Sequence, residues 1–167
     1  MTPMETIERA IDPALAELPA RMTSDAARTL LLAICLQESE LIHRRQRGGG
    51  PARGLPQFER GGVIAVLGHP SSNTHARNLC AAHRVRPMVA DLLEAFITDD
   101  VLALGFARLL LWTDHRPLPD DMDAAWSYYL RNWRPGKPRP KDWPGNWATA
   151  QLAMREYRAR RLMRADT

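Results

Sequence analysis

An all-α fold is predicted for this chain by three observations. Apolar residues recur at spacings of three, four and seven over long stretches, as on a helix that buries one stripe. No stretch shows the strict apolar–polar alternation of a half-buried strand. The periodic segments are separated by proline- and glycine-rich breaks. With 167 residues the chain is long enough for one domain, residues 1–167, built around one core. About seven to eight helices are expected, with a glycine-rich loop after the second.

The segment from Met4 to Ala16 reads as a short helix cut by Pro13, whose missing N–H interrupts the ladder. A long helix follows from Ser24, a good N-cap, to Ile42, with Ala27, Leu30, Leu31, Ile34, Leu41 and Ile42 on its apolar stripe. Arg44 to Gly62 is a loop. Helices are then expected over Asn73–His83, Met88–Ile97 and Asp99–Trp112, the last strongly apolar. A helix from Asp121 to Trp133 places Met122, Ala125, Trp126, Tyr129 and Trp133 on one face, with Tyr128 about 100° away. Arg134 to Pro140 must be extended, and a final helix runs from Trp143 to Met163.

Composition narrows the function classes. Hydrophobic residues make up 45% and charged residues 25%, the balance of a soluble globular protein. The longest apolar runs, Leu30–Leu36 and Val101–Trp112, fall short of the roughly 20 residues of a membrane span. Glu5, Glu8, Asp12 and Glu17 stand where a secretion signal would be basic and then apolar, so none is expected. Two cysteines, Cys35 and Cys80, make no disulfide framework. His69, His75 and His83 lack the spacing of a zinc motif, and no Gly-x-Ser-x-Gly elbow occurs, so neither a metal nor an organic cofactor is implied. The Gly48–Gly50 loop lacks the Gly-Lys-Ser/Thr ending and the preceding strand of a phosphate loop.

The net charge of +4 comes from 21 arginines and only two lysines. Such a balance favours polyanionic partners, among them nucleic acid, anionic lipid and the bacterial envelope. Arg155, Arg158, Arg160, Arg161 and Arg164 concentrate charge near the C-terminus, either as a solvated helix face or as an envelope contact.

Glu38 is the candidate for chemistry. It lies four residues after Ile34, on the apolar side of the long helix. Desolvation raises a carboxylic acid's pKa, and a Glu still protonated near neutral pH can donate to a leaving oxygen, as the general acid does in glycoside cleavage. Ser39 follows it, and then the loop carries Ala52-Arg53-Gly54-Leu55-Pro56-Gln57-Phe58. This order resembles the lysozyme-like superfamily, specifically the soluble lytic transglycosylases and goose-type lysozymes, in which a helix ends in Glu-Ser and a loop with Ala-x-Gly-Leu-Met-Gln follows. Here Pro56 replaces the Met, the gap between motifs is about one residue longer, and the likeness covers Leu30 to Phe58.

The resemblance implies a lysozyme-like fold and a peptidoglycan-degrading glycosidase that cleaves the β-1,4 bond between N-acetylmuramic acid and N-acetylglucosamine. Glu38 would be the general acid and base. Ser39, Gly54, Leu55 and Gln57 would form the substrate-binding turn, with the Gln57 amide beside Glu38. A tyrosine should stand against the catalytic Glu, with Tyr129 the candidate and Tyr128 the reserve. Trp133, Trp143 or Trp147 could stack on sugars. If the muramic acid's own C6 hydroxyl attacks, the product is a 1,6-anhydro sugar and no second carboxylate is needed; if water attacks, Glu59 is the best-placed second carboxylate, since Glu40 lies about 200° around the helix from Glu38. A phage or prophage enzyme without a signal would leave the cytoplasm through a holin pore or arrive on the particle. Two rivals remain: a non-catalytic phage structural or adaptor protein on this scaffold, and an arginine-rich helical nucleic-acid-binding domain, against which no recognition-helix pattern stands out.

Overall fold

Eight helices make up residues 1–165, the part of the chain described in this computed structural model; the last two residues of the expected domain 1–167 lie outside it. They are α1 (residues 3–16), α2 (Asp25–Ser39), α3 (Arg60–Gly68), α4 (Asn73–Ala82), α5 (Val89–Ala95), α6 (Asp100–Trp112), α7 (Met122–Trp133) and α8 (Trp143–Ala165). The fold is all-α. Among the described residues no strand forms, and no helix is long and apolar enough to cross a membrane.

Local chemistry explains most helix ends. Thr2 and Glu5 form a reciprocal capping box at the start of α1. Ser24, Asp99 and Asp121 each accept the backbone N–H of the third residue of α2, α6 and α7. Pro13 does not cut α1 as its missing donor suggests. The segment Ile7–Ile11 is widened into a π turn, with the Asp12 N–H donating to the Ile7 carbonyl, and the chain enters Pro13 as a new first turn that needs no proline N–H.

Two boundaries depart from the sequence reading. The long helix stops at Ser39, because Glu40 and Leu41 turn left-handed with φ of 55° and 58°. Leu41 is buried by that turn, whereas Ile42 is exposed and off the stripe. The expected loop up to Gly62 is cut short by α3, which begins at Arg60. Gly61 and Gly62 weaken helix propensity, yet Gly62 is where the Phe58 ring packs, 2.9 Å from where a Cβ would stand. Tertiary packing overrides propensity there.

The buried side chains form one cluster running from Met4 to Tyr157. Its largest interface joins α2 to α8. The two run antiparallel: Gln37 meets Asn146 at one end, and Asp25 meets Arg158 at the other. On the other side α6 packs against α1 and presents Arg108 to the interior, where its Nε donates to the Met22 carbonyl at 2.8 Å and its guanidinium covers Trp112. Burial lowers its pKa to about 10.

Candidate active site

Glu38 occupies the last turn of α2, half-buried, where the left-handed turn at Glu40 ends the helix. Its Oε1 accepts a hydrogen bond of 2.5 Å from the Tyr129 hydroxyl, contributed by α7 and 91 residues away in sequence. Burial is the largest influence on the Glu38 pKa and raises it; the Tyr129 hydrogen bond and the Arg139 charge oppose the rise, and the Glu59 charge adds to it. The phenol of Tyr129 is itself pushed well above its ordinary value, first by burial and then by the neighbouring carboxylate.

An aromatic stack holds Tyr129 in place. Its ring lies 5.3 Å from Trp143, nearly parallel at 16°, and 5.3 Å from Trp126. Trp143 in turn stacks on Trp147 and donates its indole N–H to the Met122 carbonyl at 3.1 Å. Trp143 and Trp147 are buried and do not line saccharide subsites, because they form the floor beneath Tyr129 instead. Tyr128 is also removed as the reserve partner of Glu38. One position around α7, it points the other way and donates to the Leu111 carbonyl at 2.8 Å.

The loop from Arg44 to Phe58 follows the end of α2. Arg44 grips Asp100 with two hydrogen bonds of 2.8 and 2.6 Å, and Arg45 reaches Glu94 at 3.1 Å. Arg53 and Phe58 exchange backbone hydrogen bonds of 2.9 and 2.8 Å around the Gly54–Gln57 turn. Gly54 has φ of +74°, and a Cβ there would stand 2.9 Å from the Phe96 carbonyl oxygen. Leu55 is fully buried, and the Gln57 amide donates both to the His43 carbonyl at 3.1 Å and to the Gly54 carbonyl at 2.9 Å. Ser39 is likewise buried, its hydroxyl bonded back to the Cys35 carbonyl at 2.9 Å.

The side chains of Ser39 and Leu55 are inside the protein, Gly54 permits the turn, and both N–H bonds of the Gln57 amide are engaged by that turn. Any hydrogen bond from a ligand to the Gln57 side chain falls to its carbonyl oxygen. Trp133 is half-buried and ties the loop to α7, donating to the Pro56 carbonyl at 2.9 Å while its ring meets Phe58 edge-on at 5.6 Å. Glu59 is exposed at the N-cap of α3, near enough for its charge to act on Glu38.

The proline-rich segment meets the same end of α2. Arg139 donates to the Gln37 carbonyl, and the Gln37 amide donates back to the Arg139 carbonyl at 3.0 Å. Asn146 closes the cluster on Gln37 Oε1 at 2.8 Å. Glu40 joins the two segments, 3.5 Å from Arg47 and 3.9 Å from Arg139. The Gln37 partners are not legible from sequence, since Arg139 and Asn146 stand 102 and 109 residues away and no local pattern pairs them. Among the described residues no group of three or more His, Cys, Asp or Glu side chains is placed to hold a metal.

Comparison with protein-family models, with curated proteins and with solved structures finds no match to this chain. Its function must be argued from the site.

Proposed function

We propose that this protein is a glycosidase of the bacterial cell wall, a muramidase or lytic transglycosylase acting on the β-1,4 bond between N-acetylmuramic acid and N-acetylglucosamine. The observation that carries the reading is the Glu38–Tyr129 pair: a half-buried carboxyl with a raised pKa, oriented by a phenol and flanked by two loops. Tyr129 holds Oε1, which leaves Oε2 for the proton that passes to the glycosidic oxygen. As that bond breaks, charge develops on the sugar ring, and the newly formed Glu38 carboxylate stabilises it and accepts a proton from the attacking group. Tyr129 favours the carboxylate by hydrogen bonding, so it assists the second half of the cycle as well.

The nucleophile separates two versions. Attack by the muramic acid's own C6 hydroxyl needs Glu38 alone and yields a 1,6-anhydro product. Attack by water calls on a second carboxylate, and Glu59 is the one whose charge reaches Glu38. On this reading the enzyme meets peptidoglycan outside the membrane, after release through a holin pore or on a phage particle. Digestion of purified peptidoglycan followed by mass analysis of the fragments tests it. Muropeptides bearing anhydro or reducing muramic ends are expected from the parent and not from Glu38→Gln. Fragments from both, or from neither, would refute the proposal.

A further inference from the structure

A hollow of about 400 Å³ lies between the start of α2, the segment just before α7 and one side of α8. That volume is within the range of small-molecule sites, roughly 300–1,000 Å³. Thr29, which lines it, precedes Glu38 by nine residues on α2, roughly 14 Å along the helix axis, so the hollow is separate from the site described above.

The floor of this hollow is apolar and braced from behind. Met154 is 2% exposed and Trp147 4% exposed, and the Trp147 ring stacks on Trp143 with centroids 6.1 Å apart. The Thr29 hydroxyl donates back to the Asp25 carbonyl at 2.9 Å, so its proton is already taken up within α2. One donor of the floor is left open. The Trp147 indole N–H has no acceptor among the described residues, whereas those of Trp133 and Trp143 each reach a backbone carbonyl, as a buried indole ordinarily does. The rim carries charge of both signs. Arg158 is engaged by Asp25 at 2.7 Å. Arg155 and Asp120 are exposed, form no ion pair with each other, and have no side-chain hydrogen bond or charged partner among the described residues. The hollow thus presents one unanswered cation, one unanswered anion and an apolar floor with a single open donor.

We propose that this hollow binds a short zwitterionic peptide, the size of a dipeptide with apolar side chains, its carboxylate on Arg155, its ammonium on Asp120 and its side chains against Trp147 and Met154. A guanidinium fork matches a carboxylate with two parallel hydrogen bonds. The peptide carbonyl is the acceptor that the Trp147 N–H lacks. A ligand with a single charge leaves one rim group without a partner, and an uncharged ligand leaves both. The site is independent of the glycosidase reading and stands or falls separately.

The test is titration of the full chain with leucyl-leucine, followed by the indole N–H resonances of its five tryptophans, that of Trp147 being assigned by its loss in Trp147→Phe. A saturable shift of that resonance is expected. Glycylglycine keeps both charges but has no side chain to bury, and it should bind at least about tenfold more weakly. N-acetyl-leucyl-leucine lacks the ammonium and leucyl-leucinamide the carboxylate, and each should bind about three- to tenfold more weakly than leucyl-leucine. Two variants assign these losses. Asp120→Asn should weaken leucyl-leucine by about the same factor and not the acetylated peptide, while Arg155→Gln should weaken leucyl-leucine and not the amide. Both side chains are exposed, so the variants should melt with the parent. Absence of a saturable shift, or equal affinity for leucyl-leucine and both singly charged derivatives, would overturn the proposal, since the rim charges would then hold nothing. Glycylglycine binding as tightly as leucyl-leucine would overturn it as well, by removing the floor from the site. No step depends on cleavage, so this outcome is read separately from that at Glu38.

Discussion

Glu38 owes its half-buried setting to where α2 stops. One turn earlier its carboxyl would be sealed in the core; one residue later it would take the buried place of Ser39, and two later the exposure of Glu40. The apolar spacing around Glu38 and the inward face of Tyr129 were both readable from periodicity, and the structure places the two side chains in contact. Ser39, Leu55 and Tyr128 were not readable in the same way, because a motif reveals which residues a turn needs and not which of them point outward. Glu38→Gln keeps the shape and removes the acidic proton, so wall cleavage should fall at least ~10²-fold with the melting temperature little changed. Cleavage at a rate near the parent's would exclude Glu38 as the acid. The pH profile carries a finer test. Cleavage needs Glu38 protonated, so the rate should fall as pH rises through its raised pKa. The Tyr129 hydrogen bond favours the charged form, so Tyr129→Phe should leave the pKa higher still and move the alkaline limb to higher pH while lowering the maximum rate. A limb that moved to lower pH would contradict the assigned direction. Tyr128→Phe, which loses only its bond to Leu111, should cost stability of about 1 kcal/mol and leave the limb in place.

At the scale of elements, seven of the eight helices follow from period and caps, and α3 shows why the eighth does not. Only Val63 and Val66 of α3 are buried, too few for a stripe, and two glycines sit in its first turn. What makes it a helix is the aromatic contact at Gly62, a tertiary fact. The Gly54 turn makes a related demand on the neighbouring loop. Gly54→Ala should destabilise by at least ~1–3 kcal/mol, combining a left-handed φ with a methyl pressed on the Phe96 carbonyl, and a melting temperature equal to the parent's would show that the turn can relax. A third contact joins three helix ends. His83, at the C-terminus of α4, lies 2.8 Å from Glu17 after α1 and 2.6 Å from Asp99, the N-cap of α6. Burial works against its charge, but the hydrogen bonds to Glu17 and Asp99 prevail and its pKa rises above 6.5. A raised pKa in the folded state means that stability is fully present below about 6.5 and is lost as pH climbs through the folded value. Thermal melts across that window should show the decline in the parent and a flatter curve for His83→Gln. Equal slopes for both proteins would assign the decline to other groups.

Over the whole molecule, α8 links regions that the sequence keeps apart. Its first residue, Trp143, is the platform under Tyr129, its middle fills the groove along α2, and its last turns lie against α1. Apolar spacing predicts a helix here, but nothing in the chain announces that this helix runs antiparallel to α2 and so connects both ends of it. The arrangement predicts that fold and site fail together. Truncation after Asp142 strips Trp143, Trp147, Met154 and Tyr157 from the core along with Ala150 and Ala153. At roughly 1.5–3 kcal/mol for each large side chain, the loss rivals the entire ~5–15 kcal/mol that holds a domain folded. That variant should show no cooperative thermal transition. Truncation after Tyr157 removes a segment whose described side chains are exposed, together with the Arg158–Asp25 pair, a surface contact of at most about 1 kcal/mol. It should melt cooperatively within a few degrees of the parent and cleave soluble glycan at an unchanged rate. If instead the chain ending at Asp142 still melted cooperatively, α1 to α7 would have to possess a core of their own, and the Glu38–Tyr129 geometry would not depend on the aromatic stack beneath it.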